Sequence, residues 1–236
     1  MKCIAIITAR SGSKGLPNKN VKELGGIPLL GWITNAAKNS RLLDKVIMST
    51  DSEMYFEKGK KIYEELIFHK RTVELAEDVP SELVIEDVIK KFKNIFNKDS
   101  IIVLLQPTTP FTEGKDIDNC IQRLIEKSEF NTIVSVKHVS EYPEWIINGE
   151  SDYYGSCKNI SGENSIRQNF KIRWIPNGGI WAFRKSFFEK ERKIIDEKKT
   201  LIYEMSKIKS LDIDEKDDFI LCQAVVNAKI ISIDKR

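Results

Sequence analysis

Short apolar, β-branched runs separated by longer stretches of helical period constrain this chain more than any other feature. CIAIITA (3–9), KVIMST (45–50) and IIVLLQ (101–106) are apolar at consecutive rather than alternate positions. A strand with that pattern is buried on both faces. Between them, PLLGWITNAAKN (28–39) sets Leu29, Leu30, Ile33, Ala36 and Ala37 on one helical face, with Pro28 suited to a first helical turn. KDIDNCIQRLIEK (115–127) does the same with Ile117, Ile121, Leu124 and Ile125. TIVSV, GIWAF and IISI read as further strands. The alternation predicts an α/β fold, a mostly parallel sheet with helices on both faces.

In such a sheet, ligands bind beyond the carboxyl ends of the strands. Three loops fall there: ITARSGSKGLPNKN (7–20), STDSE (49–53) and QPTTP (106–110). The first joins Arg10, Lys14 and Lys19 to Gly12 and Gly15. Glycines admit an anion close to backbone N–H groups, and the cations neutralise it. The spacing is neither GxxxxGK[ST], because Gly15 follows Lys14, nor GxGxxG. The helix begins about ten residues on, which suits a long loop around a triphosphate better than a tight phosphate grip. SGSKG alone reads equally as a solvated basic turn.

The whole chain adds few other constraints. Its 236 residues suit one domain, 1–236, and a net charge of +3 gives no reason to expect nucleic acid or a membrane surface. Cationic function must then be local. The four cysteines, Cys3, Cys120, Cys157 and Cys222, form no CxxC pair, and with only His69 and His138 beside them a Cys/His metal site is not expected. They read as reduced and packed. No run approaches a membrane span, and the apolar start meets Arg10 at once, so the expected location is cytoplasmic. Residues 138–172 break the strand–helix rhythm. Tyr142, Trp145, Tyr153 and Tyr154 among polar residues and glycines suggest an excursion that packs on something, such as a second subunit.

Acidic residues cluster in SLDIDEKDDF (210–219). Asp212 and Asp214, two apart on an extended segment, point to one face and suit a hard cation such as Mg²⁺. The same residues also read as a helix N-terminus, with Asp214 as its cap. Asp51 reads as a turn former. Gly178 and Gly179 relieve a close backbone approach before a strand, leaving Asn177 to present its amide to a ligand. Neither histidine stands out as a general base; His69 reads as packed at a strand end.

Taken together, IITARSGSKGLPNKNVKELGGIPLLGWITNAA, VIMSTDSE, ELAED, LLQPTTP, IPNGGIWAF and SLDIDEKDDF resemble, in order and across nearly the whole chain, the CMP-sialic acid synthetases (acylneuraminate cytidylyltransferases) and their legionaminic and pseudaminic acid relatives. The resemblance implies a Rossmann-like nucleotidyltransferase fold. It also implies a reaction in which CTP and a nine-carbon 2-keto sugar acid give a CMP-sugar and pyrophosphate, with Mg²⁺ as cofactor and a homodimer as the working form. It assigns Arg10, Ser13, Lys14, Lys19 and Asn20 to the triphosphate, and Arg71 and Ser81 to the nucleotide pocket. Gln106, Arg167 and Asn177 fall to the sugar acid, and Asp212 and Asp214 to the metal, with Arg10, Lys14 and Asp214 carrying catalysis. The chain departs from the family where Thr109, Phe111 and Thr112 replace the usual residues of LQPTSPLR and Tyr142-Pro143 replaces His-Pro. Kdo-type enzymes carry QGDEP where QPTTP stands here, which disfavours that sugar. The remaining alternatives are a GTP-using enzyme and a non-catalytic nucleotide-sugar-binding protein.

Overall fold

The computed structural model describes residues 1–13, 15–140, 146–149, 155–157 and 171–231. Strand β1 (Cys3–Thr8) runs into the opening loop and a 3₁₀ turn at Lys19–Val21, then a hairpin of β2 (Glu23–Leu24) and β3 (Ile27–Pro28). Gly25 and Gly26 make that hairpin turn with φ of 63° and 79°, the left-handed pair that two-residue hairpins favour. Helix α1 (Leu29–Lys38), β4 (Lys45–Thr50), α2 (Glu53–Lys60), β5 (Ile67–Lys70), α3 (Val73–Ala76) and α4 (Ser81–Lys91) follow. Next come β6 (Ile101–Leu105), α5 (Gly114–Glu126), β7 (Thr132–His138), and the small pair β8 (Ile147–Gly149) and β9 (Gly155–Cys157). The chain continues through β10 (Trp174–Arg184), α6 (Lys185–Glu191), β11 (Thr200–Glu204) and α7 (Lys216–Asn227).

Seven strands form one sheet in the order β11-β7-β10-β6-β1-β4-β5. All run parallel except β10, which is antiparallel to both β6 and β7. Two-sided burial follows from the consecutive apolar residues. Cys3, Ala5 and Ile7 of β1 pack with residues of α1, α2 and α5, whereas Ile4 and Ile6 pack with α4 and α6. Each fully buried Ile or Leu contributes roughly 1.5–3 kcal/mol, so the central strands β6, β1 and β4 anchor the fold. Three cysteines, Cys3, Cys120 and Cys222, are buried and free.

A third apolar cluster lies away from the sheet and serves the site. Leu16 of the opening loop, Trp32 of α1, Phe111, Ile213 and Phe219 of α7 pack together. They clamp the opening loop to the acidic segment that precedes α7.

Two sequence expectations change here. One of the two edge strands is TLIYE at β11, beside β7, whose half-exposed residues give no buried-strand signal. IISI does not supply a strand within the described residues: α7 ends at Asn227, and Ile230 and Ile231 form a bend, with the remainder lying outside them. Most of the excursion at 138–172, including Tyr142, Trp145, Tyr153 and Tyr154, also lies outside the described residues.

Candidate active site

At the carboxyl ends of β1, β4 and β6 lies a cavity of about 520 Å³. Arg10, Ser13, Lys19, Asn20, Arg71, Ser81, Gln106, Asp212 and Asp214 all line it. Residues far apart in sequence meet there because parallel strands deliver all their following loops to one end of the sheet. Lys14 and Arg167 lie outside the described residues.

The opening loop is held from beneath. Asp51, just past β4, accepts the Ser11 backbone N–H at 2.8 Å and also the Ser11 hydroxyl. Asn20 is buried and donates from Nδ2 to the Arg10 carbonyl at 2.9 Å, while its Oδ1 has no partner among the described residues. Arg10 bridges to Asp78 at 3.2 Å across the cavity. Gly15 presses on the acidic segment, since a Cβ there would stand 2.6 Å from the Asp214 carbonyl oxygen. This glycine therefore serves close packing of two protein segments, whereas nothing lies within 4 Å of a Cβ built at Gly12.

The acidic wall is built differently. Ile213 is fully buried and its N–H bonds the Thr108 carbonyl at 2.9 Å, so Leu211–Asp214 lies extended against the loop after β6. The flanking carboxylates diverge in environment. Burial pushes the Asp212 carboxyl pKa up; a hydrogen bond from Thr108 opposes this and the nearby Asp214 charge adds to it. One Asp212 oxygen, Oδ1, is buried with no partner among the described residues. Asp214 is exposed and pairs with Lys19, whose Nζ lies 3.1 Å from Oδ1 and 2.7 Å from the Ile213 carbonyl. Asp214 is not the helix cap. Glu215 caps α7 in a reciprocal box with Asp218, whose carboxylate also accepts the Asp214 N–H. The Asp214 side chain is thus free of the helix and turned to the cavity.

An orphaned buried oxygen beside an exposed carboxylate fits a hard divalent cation that completes its shell with phosphate and water. Among the described residues no group of three or more His, Cys, Asp or Glu could cage a metal without such help.

Arg71 forms the far wall. It is buried, donates from Nε to Ser49 Oγ at 2.9 Å and from Nη1 to the Leu75 carbonyl at 3.3 Å. Burial lowers its pKa to about 10, against the pull of Asp51 and with the help of Arg10, so it stays charged at neutral pH.

Asn177 departs from its expected place. Its Oδ1 accepts from Ser135 Oγ and the Gly179 N–H, and its Nδ2 reaches Ser210 Oγ at 2.9 Å and Met205 Sδ at 3.3 Å. With 3% exposure, the amide ties β10 to β7 and to the Ser210 turn instead of facing a ligand. The glycines beside it lie within β10, at its irregularity between Pro176 and Trp181, and not before it. Gly178 has φ 79°, and a Cβ on it would approach Asp212 Oδ2 at 3.0 Å and Gln106 Oε1 at 3.3 Å. Sequence reasoning missed Asp78 and Thr108. Both lie in quoted motifs, Asp78 at the end of ELAED and Thr108 in LLQPTTP, but no role was read for either, and only the folded loops bring Asp78 to Arg10 and Thr108 to Asp212.

A family profile described as cytidylyltransferase matches residues 4–150. The chain is 33% identical over 228 residues to the N-acylneuraminate cytidylyltransferase of Escherichia coli O18:K1:H7 (strain RS218 / NMEC), covering 97% of this chain and 53% of that protein. It is 31% identical over 226 residues to that of Streptococcus agalactiae serotype V, with 93% and 52% covered. The chain spans about half the length of the curated relatives it matches. Among solved structures, CMP:2-keto-3-deoxy-manno-octonic acid synthetase complexed with CTP superposes with a TM-score of 0.70 at 15% identity, covering 97% of this chain and all of that one. A 4-diphosphocytidyl-2C-methyl-D-erythritol synthase gives 0.69 at 14% identity, covering 95% and 98%. These two likenesses concern the fold.

Proposed function

The chain belongs to the cytidylyltransferase family, and from that premise we propose that it joins CTP to a nine-carbon 2-keto sugar acid. A hydroxyl oxygen of the sugar attacks the α-phosphorus, the bond to the β-phosphate oxygen breaks, and CMP-sugar and pyrophosphate leave. The observation that carries this reading is one cavity lined by Arg10, Lys19 and Arg71 together with Asp212 and Asp214. Phosphoryl and nucleotidyl transfer depend mainly on positioning and on stabilising charge at the departing oxygens.

Arg71 and Ser81 hold the nucleoside end, and Arg10, Ser13, Lys14, Lys19 and Asn20 the triphosphate. Gln106 and Arg167 are assigned to the sugar acid. Asp212 and Asp214 would hold Mg²⁺, which supplies charge neutralisation and a lowered pKa for a coordinated hydroxyl. His69 is not the base that takes the sugar proton, because its side chain is fully buried and bonded to Ser49 and Asp87. The working form is a homodimer, a reading supported by exposed Ile172, Trp174 and Ile175 at the foot of the excursion.

Pyrophosphate release across a panel of nucleotides and sugar acids tests the reaction. Release with CTP and a nine-carbon acid, and not with GTP or Kdo, is expected. Nucleotide-sugar binding without release from any pair would leave a binding protein in place of an enzyme.

A further inference from the structure

Behind Arg71 a line of hydrogen bonds runs from the cavity wall to Asp87 and Lys91 on α4. Ser49 Oγ, buried at the end of β4, accepts Arg71 Nε–H at 2.9 Å and lies 2.9 Å from His69 Nδ1. His69 Nε2 lies 2.9 Å from Asp87 Oδ2 on α4, and Lys91 closes the line on Asp87 at 3.1 Å. We propose that Ser49 and His69 are positioning residues that fix the Arg71 guanidinium plane for the nucleotide, through a one-way hydrogen-bond relay anchored on Asp87.

The direction follows from proton count. A serine hydroxyl has one proton. Its oxygen receives Arg71 Nε–H, and at the other end the Asp87 carboxylate, which only accepts, draws the one ring proton of neutral His69 to Nε2, so Nδ1 is bare and takes the serine proton. His69 then carries its proton on Nε2 and gives it to Asp87. The order Ser–His–Asp is that of a hydrolytic triad, but the geometry is not. A triad presents Nε2 to the serine and Nδ1 to the carboxylate, whereas here the ring is reversed and Ser49 has no exposure. The relay holds an arginine; it does not make a nucleophile.

The relay requires neutral His69. Burial lowers its pKa, and the charges of Lys91 and Arg71 add to this against the opposing bond and charge of Asp87. The groups that face the ring are Ser49 from β4, Asp87 and Lys91 from α4, Arg71 past β5, and the edge-on Phe92 ring. Protonation would put a second donor on the Ser49 oxygen, turn its hydroxyl away, and set a cation beside Arg71. Affinity for the nucleotide should fall as pH drops below the ordinary histidine range.

This inference rests on Arg71 belonging to the nucleotide pocket, and the tests separate the two. Nitrogen-15 NMR of the full chain should show His69 as the Nε2–H tautomer; an Nδ1–H tautomer overturns the relay whatever the ligand. Calorimetry with CTP should show about 10-fold weaker binding for Ser49→Ala, which strands a buried Arg71 Nε–H. In an Arg71→Ala background the same change should have no further effect; additive losses overturn positioning through Arg71. His69→Gln keeps an acceptor for Ser49 and a donor for Asp87, so its affinity at pH 7.5 should match the wild type. Its excess loss at pH 5.5 should vanish, CTP's own protonation being common to both proteins; an unchanged pH profile counts against the relay. If Arg71→Ala binds CTP as the wild type does, the assignment of Arg71 to the nucleotide falls, and with it the purpose of the relay.

Discussion

The two walls of the cavity are finished to different degrees. On the β4 side every polar group named above has a protein partner: Asp51 holds Ser11, Ser49 holds Arg71, and Asp87 holds His69. On the acidic side Asp212 Oδ1 is buried with no partner among the described residues, and the Asp214 carboxylate pairs with Lys19 and is exposed to solvent. A satisfied wall is rigid before any ligand arrives. An unsatisfied one holds free energy that a cation can recover. The contrast suggests that recognition geometry is built in on one side, while charge on the other side is left for ligand and metal to complete.

Substitutions on the two walls should therefore have opposite signatures. The largest effect is expected from Asp212→Asn, which should lower turnover by roughly 10²-fold or more, as for other lost electrostatic groups at a reacting centre. The same variant should be more stable without ligand at neutral pH, by about 1 kcal/mol. The sign follows from the raised carboxyl pKa. Between the ordinary aspartate value and the folded value the native state binds more protons than the unfolded one, so stability falls as pH rises through that window. Thermal melts of both proteins from pH 4 to 8 check it; a less stable variant would mean that Asp212 is already satisfied.

Gly15→Ala probes the seam between the walls. Its Cβ would meet backbone and not a flexible side chain, so Asp214 must move. An approximately 10- to 100-fold loss of kcat is expected, in the range of a 1 Å misplacement of a reacting group. Wild-type kcat would show that the acidic segment tolerates displacement. Next comes Asp51→Ala on the satisfied wall, which strands Ser11 and should destabilise by about 1–3 kcal/mol in denaturant titration. Its kcat should fall only in proportion to loop disorder, the reverse of Asp212→Asn. The smallest effect is expected from Lys19→Ala. An ion pair to so exposed a carboxylate contributes little stability, so melting should hardly change and KM for CTP should rise several-fold with kcat nearly kept. A large fall in kcat would place Lys19 at the departing phosphates.

The central sheet was the most legible part of the sequence, whereas the bonds of the satisfied wall, Ser49 to Arg71 and His69 to Asp87, were not read there. β1, β4 and β6 announce themselves because burial on both faces leaves runs of consecutive apolar residues, and their loops reach one end by the geometry of parallel strands. β11 did not, because an edge strand with half-exposed residues resembles a loop in composition. The alternative reading of Asp214 as a cap falls, because an acidic run offers several candidates. Only the reciprocal bonds of Glu215 and Asp218 choose among them. Asn177 was misread because an amide before two glycines signals a turn or a site equally well, and its three side-chain partners come from β7 and the 205–210 turn, far along the chain.

The reversed strand β10 has one further consequence. Because it runs against its neighbours, the chain leaves β7 and re-enters β10 at the ligand end, where His138 is paired with Trp174 and the Val139 N–H reaches the Arg173 carbonyl at 3.0 Å. Whatever is spliced between those two points starts and finishes beside the cavity, through a neck already closed by backbone bonds. Its length and composition can change without altering the register of a single buried strand. The fold thereby provides an insertion point at the ligand end of the sheet, where the chain between His138 and Trp174 can vary while the loops after β1, β4 and β6 stay in place.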